Sequence, residues 1–208
     1  IFARGKRQKL DAEQRRVLER THAGLVRAGA RLDAAAKPRV GEINSRLATL
    51  GTAFSQNVLA DEQAYKLVLE GEADLAGLPD FVRAAAKRAG DDLGHPGKHV
   101  ITLSRSSIET FLQFSTRRDL REAAFAAWIR RGEGGGDHDN RAVATEILAL
   151  RAERAKLLGF ATFAKFRLED AMAKTPEAVA QLLDQVWTAA KAKAGAERAL
   201  LQRMVDSE

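Results

Sequence analysis

Two histidines have a spacing that could serve a metal ion. His95 and His99 are separated by three residues across a Pro-Gly turn. Imidazole nitrogens are common zinc ligands, but a protein zinc site needs at least three protein ligands. The chain has no cysteine, and no aspartate or third histidine follows this pair at ligand spacing. We therefore interpret the segment as a solvated loop, and the lone His22 as a surface residue of a helix.

Serine and glycine clusters are the next candidates, as a nucleophile and as a phosphate-binding loop. Ser104 to Ser107 lacks the Gly-x-Ser-x-Gly pattern that exposes a nucleophilic serine. Caps and turns explain such serines adequately. The glycine run 134–136 is not followed by Gly-Lys-Ser/Thr, so it does not predict a phosphate loop. We interpret it as a surface loop, followed by His138 in a segment that caps a helix and forms ion pairs.

Charged residues on predicted helices are the remaining candidates. Four acids lack a His-x-x-x-His face that would complete a metal site: Glu146, Glu153, Glu169 and Asp170. Arg117, Arg118 and Arg121 form the densest basic group and could bind a peptide carboxylate. A charged, solvated helix face is the favoured interpretation, since charge runs are weakly specific. We therefore predict no catalytic, no cofactor-binding and no metal-binding residue in these 208 residues.

Composition bounds the class of protein and its partners. The chain is 45% hydrophobic and carries 34 basic and 28 acidic residues, which is typical of a soluble globular protein. The basic residues are mixed with acids, whereas a nucleic-acid binder usually concentrates them on one face. No apolar run approaches the length of a membrane span. The absence of cysteine fits a reducing compartment. We expect a cytoplasmic protein with no nucleic-acid and no membrane partner.

The first part of the chain, residues 1–62, predicts a long antiparallel helix hairpin. Asp11 and Gln14 form a capping-box pattern at the start of the first helix. The second helix, over about residues 34–60, carries apolar residues at spacings of 3, 4, 3 and 4, continued less regularly by Asn57. Such spacing is typical of a helix-packing seam. The seam residues are Val40, Ile43, Leu47, Leu50 and Phe54.

Residues 63–104 predict a small strand-helix-strand element. The run 65–70 alternates enough to be a short strand, and the run 99–104 has the β-branched content of a strand. A helix beginning near Pro79 separates them. Since two strands alone are marginally stable, helices must cover them. The sequence leaves open whether the strands are parallel or antiparallel.

Residues 105–208 predict a helical bundle. Ser106 or Ser107 is the expected cap of its first helix, and Ser115 or Thr116 of the second. Further start and stop signals are Asp137 or Asp139 as a cap, Gly159 as a left-handed stop, and Thr175-Pro176-Glu177 as a helix start. We expect the last helix to bury one face through Val179, Leu182, Leu183, Val186 and Trp187. The fold class is thus mainly α: an irregular helical bundle with a long helix hairpin and one small two-stranded β element.

Two runs in this last part carry a family likeness. They are SRSSIETFLQFSTRRDLREAAFAAWIRRG over residues 104–132 and NRAVATEILALRAERAKLLGFATFAKFRLEDAMAKTPE over residues 140–177. Together they resemble the region that precedes the zinc site in the thimet oligopeptidase and peptidyl-dipeptidase family of zinc metallopeptidases. The resemblance is closest to the bacterial peptidyl-dipeptidases and covers the chain from about Leu10 to its end.

The resemblance implies that this chain is one part of a longer enzyme and that another part binds the zinc. In the family, two histidines of a His-Glu-x-x-His helix and a downstream glutamate bind zinc, which activates water for peptide hydrolysis. This chain contains no His-Glu-x-x-His. The resemblance therefore implies a fragment upstream of the zinc helix, serving as scaffold and channel wall within one lobe of the enzyme. The implied partners are short peptide substrates and the missing catalytic part, and zinc is the implied cofactor of the parent.

Two other classes of function fit the same residues. A self-sufficient helical module for protein interaction would need no catalytic residue. A basic nucleic-acid-binding domain would use the net charge of +6.

Overall fold

The structure is a computed structural model that describes residues 2–5 and 9–207. It confirms a mainly helical fold with one small two-stranded sheet. The helices are α1 (Phe2–Gly5), α2 (Ala12–Arg27), α3 (Ala36–Ala64), α4 (Asp80–Asp92), α5 (Arg105–Phe114), α6 (Arg118–Ile129), α7 (Arg141–Leu157), α8 (Phe163–Leu168) and α9 (Pro176–Asp206). The strands are β1 (Leu67–Leu69) and β2 (His99–Ile101), and short 3₁₀ turns span Glu72–Leu75 and Gly136–His138.

The chain forms two compact units. The first consists of Ile1–Ile43 and Ala149–Glu208, and the second of Asn44–Leu148. The long helices α3 and α7 each contribute residues to both units. The three sequence segments 1–62, 63–104 and 105–208 stay a prediction.

The second unit has its core around the sheet. β1 and β2 pair antiparallel, with Val68 opposite Val100, which settles the direction that the sequence left open. Helices α4 and α5 pack against β2 and cover the sheet. The fully buried members of the core include Ile101, Leu103, Ile108 and Phe111. A sheet of only two strands is stabilised by this helical cover.

A glycine permits the close approach of α4 to the chain before β2. A Cβ atom at Gly90 would lie 2.0 Å from the carbonyl oxygen of Lys98. The backbone N–H of His95 donates to the carbonyl of Gly90 at 2.8 Å. Any side chain at position 90 would therefore push the loop away from the helix.

The first unit is organised around Phe166. This ring is largely buried on α8 and meets the ring of Phe160 edge to face, with centroids 5.3 Å apart. The guanidinium of Arg27 lies 4.4 Å from its centroid, and that of Arg154 lies 5.5 Å from it. Cations over an aromatic face are attracted by its quadrupole, so α2 and α7 are held to α8 partly by cation–π contacts.

Several predicted helix ends are confirmed. Asp11 and Gln14 form both hydrogen bonds of the capping box. Gly159 has φ of 87°, and the N–H of Phe160 donates to the carbonyl of Ala155, which is the Schellman arrangement. Thr175 caps α9 by accepting from Ala178 N at 3.1 Å, with Pro176 in the first turn. Asp139 accepts from the N–H of Arg141, the first residue of α7.

Two predicted caps were wrong. Helix α5 begins two to three residues earlier than expected, with Ser104 at the cap position, while Ser107 Oγ accepts from the N–H of Thr102 instead. Helix α6 is capped by Arg117 without a side-chain hydrogen bond, and Ser115 Oγ accepts from Arg117 N at 3.2 Å. In both cases the serine bonds a neighbouring turn rather than the helix end, a competition that is common for serine.

The largest correction concerns the last helix. Leu182, Leu183, Val186 and Trp187 were expected to be buried, but each is between 59% and 63% exposed, and only Val179 is partly covered. The same stripe continues through Leu200, Leu201, Met204 and Val205, which are 52–61% exposed. We call these eight residues the apolar face of α9. Sequence periodicity identifies such a face correctly but does not say what covers it.

No helix in the described part of the chain is long and apolar enough to cross a membrane.

Candidate functional site

The acids on the helices that could have bound a metal are paired with arginines. Glu146 accepts two hydrogen bonds from the guanidinium of Arg46, at 2.6 and 2.7 Å. Glu153 accepts two from Arg39, at 2.7 and 2.9 Å. These side-chain hydrogen bonds lower the pKa of both glutamates. A bidentate guanidinium occupies both oxygens of a carboxylate, so neither glutamate is placed to accept a proton or bind a metal.

The other two candidate acids follow the same pattern within the first unit. Glu169 pairs with Arg27, and Asp170 pairs with Arg20. Both arginines lie on α2. These pairs link the turn after α8 to α2. The four acids therefore join helices across long sequence separations and form no common site.

The histidines do not converge on a site. His99 is paired in the sheet opposite Leu69, His95 lies in the turn after α4, and His138 belongs to a 3₁₀ turn. His22 stacks on Phe2, with ring centroids 3.6 Å apart. Among the described residues, no three histidine, aspartate or glutamate side chains lie close enough to hold a metal ion. The residues present thus do not fit a zinc site.

The serine cluster lines a small cleft without a base. Ser104, Ser106 and Ser107 border a cleft of about 190 Å³ whose other wall is formed by α4 residues such as Val82 and Ala86. Ser104 Oγ lies 3.0 Å from Thr102 Oγ1, a hydroxyl that cannot act as a general base. A nucleophilic serine needs an adjacent base. This geometry favours the turn-forming role expected from the sequence.

The arginine group at the start of α6 binds the protein's own acceptors. Arg117 donates to both oxygens of Asp119, at 3.0 and 2.7 Å, and pairs with Asp74. Arg121 donates to the carbonyl of Ser115. The hydrogen bonds from Arg117 lower the pKa of Asp119 to about 2. Two of the three arginines are thus used in structural contacts, which leaves little capacity to bind a peptide carboxylate.

An open groove next to the glycine run is a second concavity of the second unit. Its volume is about 350 Å³, and its lining combines small apolar groups with Asp61, Tyr65, Arg130 and Arg131. Burial raises the pKa of the Tyr65 hydroxyl, which therefore stays protonated as a hydrogen-bond donor. Arg131 pairs with Glu62 and donates to the carbonyl of Trp128 at 2.9 Å. Its described lining residues include no serine, threonine or histidine, so they do not form a nucleophile with an adjacent base.

A buried asparagine fixes the wall of this groove, and the sequence analysis did not identify it. The Asn140 side chain donates to the carbonyl of Phe54 at 3.0 Å and accepts from Asn57 at 2.9 Å. Its backbone N–H donates to the carbonyl of Gly132, whose own N–H donates to Asp61 at 2.6 Å. The signal in the sequence was Asn57, a polar residue that continues an apolar seam. These bonds tie the two ends of the loop 132–140, which contains the glycine run, to α3.

Known proteins with similar sequences indicate the family relationship of this chain. The profile of peptidase family M3 matches residues 111–208. The chain is 34% identical over 199 residues to the dipeptidyl carboxypeptidase of Escherichia coli, covering 96% of this chain and 29% of that protein. The chain is thus similar to peptidase family M3, and residues 111–208 carry the match to the family model.

Further M3 relatives show the same partial coverage. Identity is 33% over 199 residues to the dipeptidyl carboxypeptidase of Salmonella typhimurium, of which 29% is covered. It is 35% over 182 residues to oligopeptidase A of Haemophilus influenzae, covering 86% of this chain and 27% of that protein. The chain thus spans less than a third of the length of these relatives. The resemblance to dipeptidyl carboxypeptidases, expected from about Leu10 onward, is confirmed.

The stretch that matches the M3 model cannot contain the zinc-binding helix that the resemblance implies for the parent enzyme. A His-Glu-x-x-His motif needs two histidines, and residues 111–208 contain one, His138. The paired acids described above add no alternative ligand set.

Proposed function

We propose that this chain is a non-catalytic part, scaffold and channel wall, of a zinc-dependent peptidyl-dipeptidase that removes C-terminal dipeptides from short peptides. The observation that carries the proposal is the 34% identity to a dipeptidyl carboxypeptidase over 96% of this chain but only 29% of that protein. The zinc, the general base and the catalysis belong to the part of the parent that these residues do not span.

The pairing of the chain's own charges supports a structural role. Candidate acids and arginines are joined in bidentate pairs, such as Arg46 with Glu146 and Arg39 with Glu153. A bidentate pair fixes two helices in one relative geometry, which suits a wall whose shape must be constant. The open groove of the second unit, lined by Tyr65 and Arg130, is the surface that we propose contacts a peptide.

The same observations bear on location and partners. The chain has no cysteine, which fits a cytoplasmic enzyme. Much of its positive charge is paired with acids, as in the contacts of Arg20, Arg27 and Arg141. This pairing argues against a nucleic-acid function, which needs a one-sided basic surface. A salt-dependent shift of DNA by the purified chain would reverse that conclusion.

Two experiments test the proposal. The purified chain, supplied with zinc and a short peptide, is expected to leave the peptide intact in mass spectra. Zinc-dependent, chelator-sensitive hydrolysis by these 208 residues would place the active site within them and overturn the proposal. The source gene is expected to encode His-Glu-x-x-His beyond codon 208.

One observation favours a second candidate, a stand-alone helical module for protein interaction. The apolar face of α9 is exposed along most of the helix, as a partner-binding surface would be. An open reading frame that ends near Glu208 would select this candidate over the enzyme fragment.

A further inference from the structure

The apolar face of α9 is a long, uncovered surface made of two clusters, over residues 182–187 and 200–205. With 3.6 residues per turn, its eight residues lie within an arc of about 140° and extend for about 35 Å along the helix. No α9 residue is buried in the described chain, and the helix contacts α8. Single exposed apolar residues are ordinary, whereas two clusters of large apolar residues on one face of a helix mark an interaction surface.

Most of the face is apolar. The only charged residues of α9 within its arc are Lys193 and Glu197, which form an ion pair with each other at 3.6 Å and are more than half exposed. A partner that covered this pair would have to compensate its desolvation, so the two flanking apolar clusters are the parts of the face suited to burial.

The charge balance of α9 favours a protein over a membrane surface. The helix carries four acidic and four basic residues. Helices that lie on anionic membranes concentrate lysine and arginine on their polar face. Here the polar side includes Asp184 and Asp206 as well as Arg203, so it offers no net attraction to anionic lipid.

The part of the parent outside these residues is the partner that the relationship supplies. The chain spans 29% of the length of the dipeptidyl carboxypeptidase that it matches, and the M3 match extends through α9. We propose that the apolar face of α9 packs against an apolar helical segment of the remaining polypeptide. This inference rests on the proposed function, since it requires that a longer parent exists.

Thiol labelling of the longer protein tests the inference directly. The 208 residues contain no cysteine, so a single introduced thiol reports one position. Val186→Cys places it on the apolar face, and Gln185→Cys places it one residue away on the polar side. Both positions are exposed in the 208-residue chain, where a maleimide should label them at similar rates. Mass spectrometry of peptides identifies the labelled site if the longer protein has other cysteines.

The expected result is a difference that appears only in the longer protein. There, the thiol of Val186→Cys should react at least about tenfold more slowly than that of Gln185→Cys, because local opening must precede reaction. Equal rates in the longer, monomeric protein would overturn the inference. Protection that is lost on dilution, with a dimer seen by light scattering, would also overturn it, since the occupant would then be a second copy.

The outcomes for this inference and for the proposed function are separable. If the longer protein hydrolyses peptides but labels both positions equally, only the docking inference fails. If the source gene encodes no further polypeptide, the proposed function fails first. Leu201→Cys paired with Gln202→Cys repeats the comparison in the second half of the face, so the result does not depend on one variant that folds poorly.

Discussion

The Asn57 side chain donates a hydrogen bond of 2.9 Å to the side-chain oxygen of Asn140, 83 residues along the chain. Asn140 is only 4% exposed, and its amide group donates onward to the carbonyl of Phe54. The polar residue that continues the α3 seam is thus explained by a partner at the start of α7. The contact anchors the glycine run that borders the open groove.

Replacing Asn140 by alanine should destabilise the chain by about 2 kcal/mol, because it leaves a buried carbonyl and the Asn57 amide without partners. Asn57→Ala should cost less, since Asn57 is only partly buried. Urea denaturation measures both changes. The exposed neighbour Gln56→Ala is the control and should stay within about 0.5 kcal/mol of wild type. An Asn140→Ala variant as stable as Gln56→Ala would refute the anchoring role.

Two glycine-to-alanine changes should have opposite effects. Gly90→Ala places a methyl group 2.0 Å from the Lys98 carbonyl and should destabilise the chain by about 1–3 kcal/mol. Gly195→Ala lies inside α9 with no atom within 4 Å of its new Cβ, so it should stabilise the helix by about 0.5–1 kcal/mol. Thermal melts followed by circular dichroism compare them. Stabilisation by both changes would show that backbone entropy, rather than close approach, controls position 90.

The ion pair of Asp139 should make stability depend on pH in the acid range. Hydrogen bonds from Arg141 lower the pKa of Asp139 to about 2, below its ordinary value. A carboxylate with a lowered folded-state pKa stabilises the fold above the unfolded-state pKa, and this contribution is lost as pH falls through the folded value. The Tm difference between wild type and Asp139→Asn should therefore be largest above about pH 4 and shrink toward about pH 2. A difference that is constant across this range would contradict the assignment, and Asp137→Asn provides a matched change of charge.

Two phenylalanines of the second unit should respond differently to truncation, because one lies in the core and the other on the surface. Phe111 is fully buried against the sheet, so Phe111→Ala should cost about 3–5 kcal/mol. Phe125 on α6 is 47% exposed, and Phe125→Ala should cost less than about 1 kcal/mol. Chemical denaturation of both variants measures the difference. Comparable losses would mean that Phe125 is covered in solution, for example by a second copy of the chain.

Local signals in the sequence were sufficient for much of the fold. The capping box at Asp11, the glycine stop at Gly159 and the proline start after Thr175 each depend on hydrogen bonds within one turn, and all three are confirmed. The caps at Ser106 or Ser107 and at Ser115 or Thr116 were wrong because a serine hydroxyl has several backbone groups within reach. Which of these backbone groups the serine hydroxyl bonds depends on how the tertiary structure folds the adjacent turn.

Burial on α9 and the contact between Asn57 and Asn140 could not be derived from the sequence for a different reason. Periodicity shows that Leu182 and Val186 share a face of the helix, but it does not show which other residues pack against that face. The hydrogen bond between the asparagines joins residues far apart in the chain, and only the fold brings them together. For the candidate site, the sequence showed that ligands were missing but did not show that Glu146 and Glu153 were paired with arginines.

Side-by-side peptide hydrolysis by the 208-residue chain and by the longer product of its source gene tests the central proposal most directly. Mass spectrometry of a short peptide incubated with each protein and zinc would follow the release of C-terminal dipeptides. We predict that the longer protein releases them, that a chelator abolishes the activity, and that the 208-residue chain releases none. Zinc-dependent release by the 208-residue chain, or no hydrolysis by a folded, zinc-loaded longer protein, would contradict the proposal.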